Sequence, residues 1–225
     1  MLRAIVFDFD GVIANSEPLH FRAYRDVLKD EGVDLSEADY YARYLGYDDL
    51  GAFAAIGADR GLTWPAEHLA RLVARKATRM EALEREGSVL FPGARAAIET
   101  TAGMMPIAIA SGALGAEIRR VLDHAKLTGH FTAIVAAEDT PASKPAPDPY
   151  LRAVALLSSA RGPLSASECV AIEDSHWGIE SARAAGLRTV AVAHTYNASA
   201  LGTADMVIAS MADFDVDAIQ RRFSD

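Results

Sequence analysis

The sequence predicts a doubly wound, Rossmann-like α/β fold: a parallel sheet core with an inserted α-helical cap domain. Two observations carry this expectation. Short runs that are apolar throughout and rich in Ile, Val and Ala alternate with helical patterns, and the stretch 16–88 interrupts that alternation after the first run. Strands apolar on both faces are expected where helices cover a parallel sheet on both sides, and strand–helix alternation marks βαβ units.

Taken in order, strands are expected over 5–7, 107–110, 133–136, 170–172, 189–192 and 206–208. Helices are expected over 94–102, 115–126, 148–158, 176–185 and 213–222. The segment 16–88 holds no convincing strand. Leu19, Ala23, Tyr24, Val27 and Leu28 keep helical spacing, and so do Leu69, Leu72, Val73, Met80 and Leu83. Gly32, Gly46, Gly57, Gly61 and Pro65 punctuate the segment. The chain is therefore expected to divide into a core, 1–15 with 89–225, and a helical insertion, 16–88. Leu90-Phe91-Pro92-Gly93 marks the return to the core, and the polar stretch 158–167 reads as a connection.

With 225 residues and 51% hydrophobic content, the chain can bury a sizeable core. Its net charge of −9 argues against a nucleic-acid or anionic-membrane surface but leaves room for a local positive pocket. The single cysteine, Cys169, precludes an internal disulfide and fits a reducing compartment. It lies in the apolar run 169–172 and reads as a packed thiol rather than a nucleophile. No apolar targeting segment precedes the first strand, and no run approaches the roughly 20 apolar residues needed to span a bilayer. A cytoplasmic protein is expected, with no membrane or nucleic-acid partner; no protein partner can be inferred.

Four short segments follow core strands or open the next helix. In Asp8-Phe9-Asp10-Gly11, two carboxylates two residues apart on an extended chain point the same way. Acids packed that closely ask for a cation, a proton or both; otherwise they cap a turn. Ser111-Gly112 offers a hydroxyl and backbone N–H groups that suit an anion at a helix N-terminus, or else a serine N-cap. Lys144 stands among Pro141, Pro145, Pro147 and Pro149, in a stiff loop that would hold its charge in place; the alternative is a solvated surface lysine. Glu173-Asp174-Ser175 supplies a second acid pair suited to a hard cation, or a helix cap. Sheet topology would bring all four to one edge, where ligands bind in open α/β sheets.

These motifs together resemble the haloacid dehalogenase-type phosphohydrolase superfamily over essentially the whole chain. The run from Asp8 to His20 (Asp-Phe-Asp-Gly-Val-Ile-Ala-Asn-Ser-Glu-Pro-Leu-His) is similar to the family's first motif, and Ser111, Lys144 and Glu173-Asp174 to the next three in order. The insertion sits where the subgroup with a small helical cap carries it. The resemblance implies that Asp8 is the nucleophile forming an aspartyl-phosphate and that Asp10 is the general acid and then the base. It implies that Ser111, Gly112 and Lys144 hold the phosphoryl group. Mg²⁺ would be held by Asp8, the Asp10 backbone carbonyl and Asp174, with Glu173 close by. The cap would exclude water and select a small phosphorylated metabolite.

Within the family, dehalogenases lack an acid at the position of Asp10, so its presence implies phosphoryl transfer. The chain also resembles β-phosphoglucomutases through His20-Phe21-Arg22-Ala23-Tyr24, but Asp49 stands after Gly46 where those mutases carry an arginine. A carboxylate there would repel a second phosphate, which favours a phosphatase over a mutase; a weakly catalytic binding or regulatory module is the further alternative. His20, Gly46 and Lys76 are candidate substrate contacts. Lys76 falls on the apolar face of its helix, either reaching towards substrate or snorkelling with its head in water.

Overall fold

The computed structural model describes residues 1–45, 47–87 and 89–223. Strands β1 (Ala4–Phe7), β2 (Ile107–Ala110), β3 (Ala133–Val135), β4 (Cys169–Glu173), β5 (Arg188–Val192) and β6 (Met206–Ile208) form one parallel sheet in the order β3-β2-β1-β4-β5-β6. This is the doubly wound, Rossmann-like arrangement expected from the alternation. Phe7 aligns with Ile109 of β2 on one side and with Ile172 of β4 on the other. The chain order reverses between β1 and β4, and ligands in such sheets bind outside the carboxyl ends at that reversal.

Helices α1 (Glu17–Asp30), α2 (Glu37–Asp39), α3 (Asp49–Asp59) and α4 (Ala66–Glu84) lie in the segment 16–88. Helices α5 (Ala94–Met104), α6 (Gly115–His124), α7 (Asp148–Arg161), α8 (His176–Ala184) and α9 (Val216–Arg222) alternate with the strands. Contacts divide the chain into two compact units, 1–15 with 89–225 and 16–88. Among the described residues no helix is long and apolar enough to cross a membrane.

The strands are apolar on both faces, but the two faces differ in size. Ile5, Phe7, Ile107, Ile109, Val170 and Ile172 pack with Ile98 of α5, Leu122 of α6 and Ile219 of α9. Ala4, Val6, Ala108, Ala110 and Ala171 face Tyr150, Ala153 and Leu157 of α7 and Ala182 of α8. Small strand residues leave depth for the large Tyr150 ring on the facing helix, as close packing requires. That face also governs the site described below.

Element ends differ from expectation where polar side chains act. Helix α7 continues to Arg161 rather than stopping at 158, because Ser159 returns its hydroxyl to the Ala155 carbonyl and Gly162, at φ +92°, ends the helix. Helix α9 starts at Val216 rather than 213, because the Asp215 carboxylate accepts the amides of Asp217 and Ala218 as an N-cap. Cys169 is buried, and burial pushes its thiol up to about 12, as a packed, unreactive cysteine requires.

In the helical unit, α1 and α3 both pack on α4. Phe21, Tyr24, Leu28, Tyr40, Phe53, Ile56 and Leu72 form its core. The turn Tyr40–Tyr44 continues α2 as a π-helix, and the Tyr40 ring lies 5.6 Å from that of Tyr24.

Candidate active site

Side chains alternate across a strand, so Asp8 continues the face of Ala4 and Val6, and Glu173 that of Cys169 and Ala171. Both acids therefore leave the sheet on the small-residue side, towards α7 and the loop before it. Lys144 waits in that loop. Its ammonium lies 2.9 Å from Asp8 Oδ1 and 2.5 Å from Glu173 Oε1, and the lysine side chain is only 12% exposed. The solvated-lysine alternative is thereby excluded. Tyr150, on the first turns of α7, donates its hydroxyl to the same Glu173 oxygen at 2.6 Å. Glu173 Oε2 accepts the Asp174 amide at 3.2 Å and the Ser175 hydroxyl at 3.3 Å. Glu173 is 0% exposed, so this full set of donors is what makes its burial tolerable.

Asp174 has the opposite parity and turns towards the loop after β1. Gly11 there has φ +77°, and a Cβ on it would lie 1.9 Å from Asp174 Oδ2. Only glycine both adopts that backbone and leaves room for the carboxylate. Gly178 has the matching role behind Glu173, whose carboxylate would sit 1.9 Å from an added Cβ. Ser175 caps α8 by accepting the Gly178 amide at 3.1 Å, so the motif's hydroxyl serves the helix while its acids face the site.

The ligand oxygens of Asp8, Glu173 and Asp174 lie within 4.8 Å of one another. Burial first, and then the charge of Glu173, push the Asp8 carboxyl well above its ordinary range, with Lys144 pulling the other way. Burial and Glu173 push Asp174 up to about 7. The Lys144 ammonium is held charged above its usual range by Asp8 and Glu173 despite its burial. One lysine thus faces three crowded carboxylates. The oxygen donor set and this deficit of positive charge fit a hard divalent cation.

Ser111 is buried at the end of β2, one strand from Asp8, and its Oγ accepts the Ala113 amide at 3.0 Å. It is not the helix N-cap: Leu114 holds that position in α6, and the first helical amide, Gly115, donates to Glu138 Oε1 at 3.1 Å. Glu138 thus takes the first amide of α6, three residues beyond Gly112. Gly112 is exposed, with open space where a Cβ would stand. Asp10 is part-exposed beyond the strand end.

The other candidates lie in the helical unit, with Gly46 outside the described residues. Lys76 does not snorkel: it is 2% exposed. Its ammonium donates to Asp49 Oδ1 and, at 2.8 Å, to His20 Nδ1, and it stands 4.4 Å from the centre of the Tyr24 ring. An ionic partner, an imidazole and an aromatic face replace its water, so the head is drawn inward. Tyr24 also donates to Asp49 Oδ1, at 2.7 Å. Burial, and then the Lys76 charge, lower the His20 pKa to about 4, so the imidazole is neutral. Asp49 is therefore not the uncompensated anion the sequence suggested.

Tyr150, Thr195 and His194 escaped the sequence analysis. Tyr150 looks like one more apolar helix position, and His194 and Thr195 follow β5 with no acid or lysine beside them.

The family model described as haloacid dehalogenase-like hydrolase matches residues 2–186. Fructose-1-phosphate phosphatase YqaB from Escherichia coli is 31% identical over 198 residues, covering 84% of this chain and 95% of that protein. Protein SUPPRESSOR OF QUENCHING 1, chloroplastic, from Arabidopsis thaliana is 33% identical over 205 residues; 88% of this chain matches, but only 18% of that longer protein. A crystal structure of beta-phosphoglucomutase from Clostridium difficile superposes with a TM-score of 0.79 at 22% identity, covering 100% of this chain and 98% of that one, a likeness of fold. With the family model spanning most of its length, the chain belongs to the haloacid dehalogenase-like hydrolases.

Proposed function

We propose that the protein is a Mg²⁺-dependent phosphatase that releases inorganic phosphate from a small phosphorylated metabolite of the sugar-phosphate class. The observation that carries this is the buried Asp8, held by Lys144 at 2.9 Å beside a second acid pair. Hydrolysis of phosphate esters is also what the name of the Escherichia coli relative describes.

Asp8 Oδ1 accepts from Lys144 and, at 2.7 Å, from the Phe9 amide, which fixes the carboxylate at the strand end. In the first step an Asp8 oxygen attacks phosphorus and the bond to the ester oxygen breaks. Protonated Asp10 gives its proton to that oxygen, releasing the alcohol. In the second step the Asp10 carboxylate takes a proton from water as the water oxygen attacks phosphorus. The phosphorus–oxygen bond to Asp8 breaks, phosphate leaves, and both aspartates return to their starting states. Proton donation of this kind contributes about 10²–10⁴-fold. Ser111, the Gly112 amide and Lys144 hold the transferring group, and Glu173 with Tyr150 holds Lys144. Asp8, the Asp10 carbonyl and Asp174 would ligate Mg²⁺, with Glu173 close by; when bound it neutralises charge on the phosphoryl oxygens.

A mutase must also grip a second phosphate. In the helical unit Asp49 and Lys76 cancel each other, so the pair offers a second phosphate no net positive charge. This favours hydrolysis over phosphosugar isomerisation. Substrate selection is assigned to the segment 16–88, and a cytoplasmic setting suits the free Cys169 thiol.

The test is phosphate release from a panel of sugar, polyol and carboxylic-acid monophosphates with and without Mg²⁺. Release that depends on the metal and disappears in Asp8→Asn is expected. Isomerisation of β-glucose 1-phosphate without phosphate release from any panel member would overturn the proposal.

A further inference from the structure

Two side chains of the loop after β5 touch the acid site without any role in the steps above. His194 Nδ1 donates to the Gly11 carbonyl at 2.8 Å, and its Nε2 accepts the Met211 amide at 3.2 Å. Only the neutral tautomer with the proton on Nδ1 makes both bonds. The ring stacks on Phe91, with centroids 3.8 Å apart and planes 20° from parallel. The next residue, Thr195, donates its hydroxyl to Asp174 Oδ2.

The place where these bonds land gives them meaning. Gly11 follows Asp10 directly and has φ +77°, and glycine is the residue with the widest backbone freedom. His194 binds the Gly11 carbonyl, one peptide beyond the Asp10 carbonyl, while the Gly11 amide donates to the Ala14 carbonyl at 2.9 Å; the two bonds hold the glycine from both sides, and with it the orientation of the Asp10 carbonyl. Asp174 sits against that same glycine, at a distance no side chain could share. One dipeptide therefore grips both sides of the acid site: the backbone beside the proton carrier and the carboxylate of the second acid pair. Phe91, and the Met211 amide beyond β6, brace the imidazole from behind.

We infer that His194 and Thr195 are positioning residues that clamp the Asp10–Gly11 backbone and the Asp174 carboxylate in register. The inference rests on the roles proposed above for Asp10 and Asp174. It divides the work: His194 governs turnover through Asp10, and Thr195 governs metal affinity through Asp174. Groups that orient metal ligands in this way typically control affinity or activity by about 10–100-fold.

His194→Phe keeps a ring on Phe91 and removes both hydrogen bonds, whereas His194→Asn keeps a side-chain N–H donor and loses the stack. At saturating Mg²⁺, His194→Phe is expected to lower kcat by at least about tenfold with KM within about threefold, and His194→Asn to recover part of that loss. Thr195→Val is expected to raise the Kd for Mn²⁺ about tenfold, measured by calorimetry without substrate, and Thr195→Ser to restore it. A loss of packing alone would instead make His194→Asn the worse variant and leave Mn²⁺ affinity unmoved in Thr195→Val. The clamp is overturned if His194→Phe keeps kcat within about twofold, or if Thr195→Val binds Mn²⁺ like wild type. If His194→Phe fails to fold, His194→Asn carries the turnover arm: a kcat equal to wild type supports the hydrogen bond, and a loss as deep as tenfold counts against it. Should wild type and Asp8→Asn turn over equally, the phosphatase proposal is what has failed, and Mn²⁺ affinity still judges Thr195. No Mn²⁺ binding in wild type would sink both.

Discussion

Lys144, with its side chain 12% exposed, and Lys76, at 2%, are both withdrawn from water onto carboxylate partners, one in each compact unit, and their surroundings differ. Lys144 meets Asp8 and Glu173, with Asp174 close behind, so one cation faces three carboxylates. Lys76 bonds one carboxylate, Asp49, beside a neutral imidazole and an aromatic ring, with the Glu17 carboxylate acting on it through space. Both clusters bear the cost of removing charge from water, but the first crowds three carboxylates within 4.8 Å of one another around its lysine. A deficit that the chain does not fill from its own residues is what prepares a site for a metal ion and a phosphate. A lysine bonded to a single carboxylate carries no such crowding.

The largest expected difference follows from deleting one carboxylate in the unbalanced cluster. Asp8→Asn should lower kcat by at least about 10⁴-fold, as loss of a nucleophile does. The same substitution should raise the thermal midpoint of the metal-free protein, because burial and Glu173 disfavour the charged Asp8 carboxyl in the folded state. Loss of activity together with a gain in stability is the signature of the deficit. A lower midpoint for Asp8→Asn, measured by calorimetry in chelator, would break the comparison.

The balanced cluster is sensitive to acid instead. His20 titrates near 6.5 when unfolded but only at about 4 when folded, so between these values the unfolded chain binds more protons. Stability should therefore fall as pH drops from about 6.5 to about 4, by up to about 3 kcal/mol from this group. Burial is the larger cause, and the Lys76 ammonium adds to it: Nδ1 accepts from that ammonium, and a proton there would face a like charge. Denaturant unfolding of wild type and His20→Gln across this range isolates the contribution. Parallel curves for the two proteins would rule it out.

Much of this is legible in the chain because the strands read as apolar throughout and the acid pairs and Ser111 stand where strands end, with Lys144 nine residues beyond β3. What periodicity hides is the difference between the Ile-rich and Ala-rich faces of those strands, since all are equally apolar in a pattern count. That difference sets how deeply Tyr150 sits, and so its hydroxyl's meeting with Glu173, 23 residues away, was invisible. The pairing of Lys76 with Asp49, 27 residues apart, likewise depends on how α3 packs against α4 rather than on either helix's own pattern. Lys76 stands out because it breaks an apolar stripe, but its surroundings, Asp49 included, cannot be read from either helix's pattern.

Smaller effects sharpen the contrast between the two lysines. Asp49→Asn removes the one carboxylate bonded to Lys76 among the described residues and leaves an ammonium that is 2% exposed without its bonded counter-charge. Breaking a fully buried pair typically costs about 3–5 kcal/mol, and Asp49 is 35% exposed, so a destabilisation of about 2 kcal/mol is expected. Lys76→Met, which removes the buried charge itself and leaves the better-solvated partner, should cost less. The reverse ranking in urea unfolding would show that the pair is not balanced in the way the contacts imply.

Tyr150→Phe should have the smallest effect on stability, about 1 kcal/mol, because Glu173 Oε1 keeps Lys144 when the phenol is lost. Its effect on turnover should be larger than that figure suggests. With one of its two donors gone, Oε1 draws harder on Lys144, and the ammonium is pulled from Asp8 towards Glu173. The expected result is a several-fold lower kcat with little change in urea midpoint. An equal loss of both would mean that Tyr150 only fills the space above the Ala-rich face, and that Lys144 is held by its loop alone.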